Sequence, residues 1–245
     1  MDEVSIEKVN EVWVRVNADP GVKMELSDYF TFEVPGAKFM PAVRNKVWDG
    51  KVRLLNAMTG MIYRGLVPYI IKFCDVRDYK VTLETGLLAN NQIPESAGYD
   101  LAKEFSATFT PRDYQNTAVV HALKYDRAML LSPTASGKSL IIYLLTRFHI
   151  EANGRKVLII VPTTSLVEQM SSDFIEYNNG QDLSIHKIRG GVDKDVDADI
   201  TISTWQSVYK LRKDWFAKFN VIIGDEAHLF KAKSLTSILE KLPDC

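Results

Sequence analysis

Lys138 and Ser139 close the string Ser132-Pro-Thr-Ala-Ser-Gly-Lys-Ser139, whose spacing suits the wrapping of phosphates. Backbone N–H groups of such a turn converge on an anion, and the positive end of the following helix dipole favours it. A glycine at position 137 lets the backbone approach closely. Thr134, Ala135, Ser136, Gly137, Lys138 and Ser139 are therefore the expected phosphate-binding residues. Lys138 would neutralise the terminal phosphates, and the Ser139 hydroxyl would reach a Mg²⁺ ion. One departure stands out: Ser132 occupies the place of the motif's usual first glycine. Further along, Val221-Ile-Ile-Gly-Asp-Glu-Ala-His228 puts two acids at the end of an apolar run. Asp225 is suited to hold the metal, and Glu226 to polarise an attacking water. Alone, two acids also suit the start of a helix. Together the two strings imply hydrolysis of a nucleoside triphosphate, with Lys138, Asp225 and Glu226 as the catalytic set.

A second chemical signal lies near the N-terminus. Between positions 36 and 73 the bases are Lys38, Arg44, Lys46, Lys51, Arg53, Arg64 and Lys72, and the one acid is Asp49. Seven minus one leaves a local charge of +6 in a chain whose net charge is −1. Phe39, Trp48 and Tyr63 are interleaved with these bases. In an extended strand Lys51 and Arg53 share one face, so that face is expected to lie along a phosphate backbone. Trp48 reads as a core residue rather than a stacking one. His121, His149 and His186 lack partners at ligand spacing. The alternating acids Asp193, Asp195, Asp197 and Asp199 lack the glycine and closing glutamate of a calcium loop, which leaves an exposed acidic loop.

These residues need elements to place them. A composition that is 46% apolar and 25% charged is that of an ordinary globular chain. Cys74 and Cys245 stand far apart, which argues against a disulfide framework or zinc site and for a cytoplasmic compartment, the host's if the chain is phage-encoded. The acidic start has no apolar h-region, and no apolar run is long enough to span a membrane. Residues 1–85 read as a small α+β domain. Its expected elements are a strand at 12–16, a helix from 22, a hairpin pairing 51–55 with 61–63, a helix from 65 to 75 and a strand at 81–83. Turn-forming residues mark 86–104 as a linker. From 105 to 245 strands and helices alternate, which predicts an α/β fold with a parallel sheet covered on both faces. Its expected strands include Ala128–Leu131, leading into the phosphate loop, then Val157–Val161, Ile185–Ile188, Ile200–Ser203 and Val221–Ile223.

From about position 110 the order of motifs resembles that of superfamily-two DNA helicases and translocases of the DEAH-box-like kind. Arg112-Asp-Tyr-Gln115 resembles the family's adenine-recognition element, which implies that Arg112 and Gln115 contact the base. Val161-Pro-Thr-Thr, Gly190-Gly191 and Ser203-Thr-Trp-Gln206 resemble its DNA-contacting loops. The resemblance implies nucleic-acid contacts by Pro162, Thr163, Gly190, Thr204 and Gln206. It also implies a coupling role for His228, a RecA-like first motor domain, and ATP with Mg²⁺ as the fuel. Phe39-Met-Pro41, Trp48-Asp-Gly-Lys-Val-Arg-Leu-Leu55 and Gly65-Leu-Val67 are similar to the N-terminal domain of phage recombination helicases. That similarity implies branched or duplex DNA as partner, RNA–DNA hybrids included, and the work of fork regression, branch migration and R-loop unwinding.

The family's next motif and its second RecA-like domain have no counterpart after Asp225-Glu-Ala-His228. The expectation is therefore a first motor domain cut short before that motif, with the second RecA-like domain supplied in trans or lost. A binding module for ATP and nucleic acid without turnover of its own remains an alternative. So does a motor subunit of a restriction complex, a reading that leaves the basic N-terminal segment without a role.

Overall fold

The computed structural model describes residues 3–133, 135–180, 182–230 and 232–242. The chain divides into two compact units, 1–87 and 88–245.

In the first unit the elements run β1 (Glu3–Lys8), β2 (Trp13–Asn17), α1 (Pro20–Tyr29), β3 (Thr31–Glu33), α2 (Pro41–Arg44), β4 (Lys51–Arg53), β5 (Met61–Tyr63), α3 (Val67–Val76) and β6 (Lys80–Leu83). A four-stranded sheet has the order β5-β2-β1-β6. β2 is antiparallel to β1 and β5, and β6 is parallel to β1. Period-two alternation sends Val4, Ile6, Val14, Val16 and Ile62 into a core shared with Leu26, Phe30, Ile70 and Phe73. A buried ion pair, Arg64 with Glu11 at 2.8 Å, ties the end of β5 to the β1–β2 loop.

The expected hairpin between 51–55 and 61–63 does not form. β4 pairs with β3, and β5 pairs with β2. The intervening turn redirects the chain: Asn56 accepts from the Met58 and Thr59 N–H groups, and Gly60 adopts φ +72°. A Cβ at Gly60 would collide with the Val16 carbonyl, so the close approach admits only glycine.

The second unit contains α4 (Ala97–Glu104), α5 (Asp113–Tyr125), α6 (Lys138–Asn153), β7 (Val157–Val161), α7 (Thr164–Tyr177), β8 (Ile185–Ile188), β9 (Ile200–Thr204), α8 (Trp205–Val208), α9 (Lys213–Phe216), β10 (Val221–Gly224) and α10 (Ala232–Leu239). The sheet order is β10-β7-β9-β8, and every pairing is parallel. β7 and β9 are buried on both faces; β7 reads as a continuous apolar run, while β9 also buries Thr201, Ser203 and Thr204 between and after its isoleucines. Val157, Ile159 and Val161 face a core with Val119, Tyr143, Leu144 and Phe174. Leu158 and Ile160 face Val208, Phe216, Phe219 and Ile238 on the other side.

Two expectations need correction here. The segment 86–104 is not all linker, because Ala97–Glu104 is a helix whose Leu101 and Ala102 enter the first of these cores. Its one short apolar stripe falls among turn-forming residues that hide it in the sequence. Nor is Ala128–Leu131 a strand: Leu130 packs on the core, while Met129 and Leu131 are 82% and 93% exposed. An apolar run becomes a strand only when a ladder satisfies its backbone, and β10, the strand whose end carries Asp225, has no second strand partner among the described residues.

Candidate functional site

Parallel strands bring all their C-terminal ends to one edge of a sheet, and in open α/β sheets ligands bind at that edge. That edge therefore gathers Pro162, Gly190 and Asp225, just beyond β7, β8 and β10, and Thr204, the last residue of β9. Asp225 is fixed by its own N–H, which donates to the Ile160 carbonyl at 2.9 Å. Glu226 follows in a left-handed conformation, φ +49°, and its N–H donates to Asp225 Oδ1 at 2.9 Å. That conformation costs a non-glycine residue energy and swings the side chain out of strand register.

The swing aims Glu226 at the phosphate loop. Lys138 Nζ lies 2.9 Å from Glu226 Oε1, so the two motifs meet. His228 Nδ1 stands 3.4 Å from the other carboxylate oxygen, Oε2. The Lys138 hydrogen bond holds the Glu226 carboxyl below its ordinary range. Asp225 moves the opposite way. Burial pushes its carboxyl up and the neighbouring Glu226 charge adds to the rise, while its bond from the Glu226 N–H and the nearby Lys138 charge pull against it. Two ionised carboxylates beside one ammonium leave a net charge of about −1, which favours a cation there.

The loop is held from behind by α5. Gln115 Nε2 donates to the Ser136 and Gly137 carbonyls at 3.0 and 3.1 Å. Gln115 Oε1 accepts from the Arg112 N–H at 2.8 Å, which satisfies one of the free N–H groups at the start of α5. Tyr114 adds a bond from its hydroxyl to the Ser136 carbonyl, 2.9 Å. Ser136 Oγ donates to Pro133 O at 2.7 Å and lies in short contact with Ser132 Oγ, so the residue standing for the usual first glycine braces the turn. Ala135 and Gly137 both have positive φ, +61° and +72°. A Cβ at Gly137 would run into Gln115 Nε2. Gln115 is 5% exposed, with its amide committed to this loop. In this arrangement its amide braces the loop. Arg112 Nη1 is 3.3 Å from the Tyr114 hydroxyl. Ser139 Oγ pairs with the Tyr177 hydroxyl at 2.9 Å. Thr134 lies outside the described residues. Tyr114 and Tyr177 were not anticipated as part of the site. Tyr114 sits next to Gln115, but nothing in the sequence signals Tyr177.

The remaining candidates differ in presentation. Thr163 is exposed and caps α7, accepting from the Leu166 N–H. Pro162 is buried beneath it. Gly190 and Gln206 are exposed. Thr204 is 5% exposed and its hydroxyl pairs with Ser207 Oγ at 2.9 Å, which withdraws it from solvent. In the first unit Lys51 and Arg53 are exposed on β4. Each has an acidic neighbour, Glu33 at 3.7 Å and Asp49 at 2.5 Å. Trp48 donates to the Lys51 carbonyl at 2.9 Å and is partly buried. Arg64, counted with the basic stretch, is buried against Glu11 and adds nothing to its surface.

The family model "Type III restriction enzyme, res subunit" matches residues 108–245. The model "DNA helicase UvsW, N-terminal" matches residues 4–84. The chain is 38% identical over 244 residues to the ATP-dependent DNA helicase uvsW of Enterobacteria phage T4, covering 95% of this chain and 48% of that protein. It is 31% identical over 157 residues to the DNA 3'-5' translocase XPB2 of Sulfurisphaera tokodaii, covering 64% of this chain and 33% of that protein. A crystal structure of the UvsW helicase from bacteriophage T4 superposes with a TM-score of 0.82 at 35% identity, covering 99% of this chain and 89% of that one. A second T4 UvsW structure gives 0.83 at 35% identity, covering 99% and 51%. The chain spans about half the length of the curated T4 relative. Fold, motifs and both family matches agree: this chain belongs to the UvsW-type DNA helicases and carries their N-terminal domain together with a RecA-like helicase domain.

Proposed function

We propose that this chain supplies the ATP-binding first motor domain and the N-terminal DNA-binding domain of a helicase or translocase acting on branched DNA. The observation that carries this reading is the 2.9 Å contact between Lys138 and Glu226, which unites the phosphate loop with the acidic strand end. In this reading Ala135, Ser136, Gly137, Lys138 and Ser139 cradle the phosphates. Thr134, beyond the described residues, joins them by its place in the motif. Lys138 leaves Glu226 for the terminal phosphates, and Glu226 is then free to orient and deprotonate a water. Ser139 and Asp225 are the residues suited to hold Mg²⁺, which would offset the charge that develops on the phosphates. Arg112 and Tyr114 flank the base, with Gln115 bracing the loop behind it. His228, 3.4 Å from the carboxylate that Lys138 releases, is placed to sense that exchange and pass it to the neighbouring loops.

For the DNA we assign sequence-blind contacts to Thr163, Gly190 and Gln206 at the strand-end edge, with Pro162 and Thr204 shaping their loops. Lys51 and Arg53 serve the N-terminal domain. The T4 relative's name, an ATP-dependent DNA helicase, supports the fuel and the substrate class. Fork regression, branch migration and unwinding of RNA–DNA hybrids are the activities proposed. Full turnover calls on a second RecA-like domain, whose arginine finger is worth ~10³–10⁵ in rate in related nucleotide hydrolases.

A second reading has one observation in its favour. Lys138 is held by Glu226 and Ser139 by Tyr177, so both groups must exchange partners before they can serve a nucleotide. A chain that does not complete this exchange acts as a binding module for ATP and DNA, holding ATP weakly and without turnover. Phosphate release measured with and without forked DNA, with and without an added second motor domain, separates the two. Turnover that needs forked DNA and is lost in Lys138→Ala supports the motor. Its absence under every condition leaves the binding module.

A further inference from the structure

The four-stranded sheet of the first unit has one face on its core and one face outward. Trp13, Arg15 and Asn17 alternate outward along β2, as Met61 and Tyr63 do along β5. Trp13 and Tyr63 are register partners, and their rings stack with centroids 4.3 Å apart and planes 22° from parallel. Tyr63 lies on an edge strand and remains 39% exposed. Such a pair supports strand pairing by itself. Here it also forms one wall of an open cleft of about 440 Å³, whose lining includes Arg53, Asn56, Thr59 and Met61. A flat aromatic wall, a guanidinium, and an amide and hydroxyl together match an unpaired nucleotide. The rings offer a stacking surface to any base, the arginine a phosphate contact, and the side-chain polar groups hydrogen bonds to sugar or base edges. The acids nearby are Asp49, paired with Arg53 at 2.5 Å, and Glu7, opposite Arg15 in the β1–β2 register. Against these stands the excess of bases between positions 36 and 73.

We propose that this cleft is a stacking site for single-stranded DNA, with Trp13 and Tyr63 as the platform and Arg53 as the phosphate contact. The proposal rests on the DNA-binding reading of the first unit and adds to it a base-dependent term, which Lys51 and Arg53 alone do not supply. An unpaired strand beside a branch point is the substrate that offers such bases.

The test compares a short oligothymidylate with an abasic oligonucleotide of equal length and charge, by fluorescence anisotropy on the full chain. Stacking predicts that the abasic strand binds roughly fivefold or more weakly. Tyr63→Ala should lower affinity for oligothymidylate by a similar factor and leave the abasic strand unaffected. Tyr63→Phe and Trp13→Phe, which keep the platform, should bind as the parent does. Arg53→Ala should weaken both strands and flatten the salt dependence. Equal binding of the two strands by the unaltered chain overturns the stacking proposal without relying on any variant to fold. In that case, a loss in Arg53→Ala keeps the wider DNA reading of this unit. No effect of Arg53→Ala removes that reading too.

Discussion

At the scale of single residues, the site is an ion pair waiting to be exchanged. Lys138 and Glu226 satisfy each other at 2.9 Å, and under the proposed function each serves elsewhere once a triphosphate arrives. Glu226→Gln should retain nucleotide binding, since it removes the charge that competes for Lys138. It should lower turnover by roughly 10²-fold or more, the contribution of a positioned general base, measured as steady-state phosphate release. Asp225, proposed as a metal ligand, has a cost of its own. Its carboxyl is raised by burial, so the proton it takes up at low pH stabilises the fold. That stability is present below the unfolded-state value and is lost as pH rises through the folded one. At neutral pH the ligand-free chain therefore carries an unfavourable charge. Asp225→Asn should raise its melting temperature while abolishing the stabilisation that Mg²⁺ and ATP provide, both readable by thermal denaturation.

At the scale of elements, α6 carries the site at one end and a pH liability at the other. Gly137, at its start, combines φ +72° with the nearby Gln115 amide. Gly137→Ala should cost about 1–3 kcal/mol in urea unfolding, through left-handed strain and displacement of the brace. Toward the far end, burial and the Arg155 charge lower His149 to about 4, against a smaller opposing pull from Asp126. Its Nδ1 has no partner among the described residues. The unfolded chain therefore takes up this proton first as pH falls. Stability held above pH ~6.5 should decline toward pH ~4, by about 2–3 kcal/mol in all. His149→Gln should remove that slope from urea midpoints measured between those limits. The long buried elements were legible because β7 is an unbroken apolar run, β9 is rich in β-branched residues, and α6 and α7 carry helical apolar stripes. Pairing was less so. Nothing local to Lys51–Arg53 says that its partner is Thr31–Glu33, and nothing local to Ala128–Leu131 says that it joins no ladder.

At the scale of the whole molecule, the two units have cores of different construction. The second unit depends on both faces of one parallel sheet. Phe216 is fully buried against Leu158 and Ile160 on the face opposite α6. Phe216→Ala should cost about 3–5 kcal/mol in urea unfolding and reduce the folded population, although it lies outside the phosphate loop. The candidate site was readable in the sequence to the extent that its chemistry is local. The loop 132–139 and the acids 225–226 announce themselves by type and spacing. Their convergence follows from the alternating pattern that fixes a parallel sheet. The brace from Gln115 and Tyr114, the hydroxyl pair of Ser139 with Tyr177, and the stack of Trp13 on Tyr63 were not readable, because each depends on side-chain direction between elements.

The central claim is that the phosphate loop and the acidic strand end form one nucleotide site. Equilibrium titration of the chain with a fluorescent ATP analogue, with and without Mg²⁺, tests it most directly. Binding should tighten with Mg²⁺, weaken by roughly tenfold or more in Lys138→Ala, and lose its Mg²⁺ dependence in Asp225→Asn. Affinity unchanged in both variants would contradict the account.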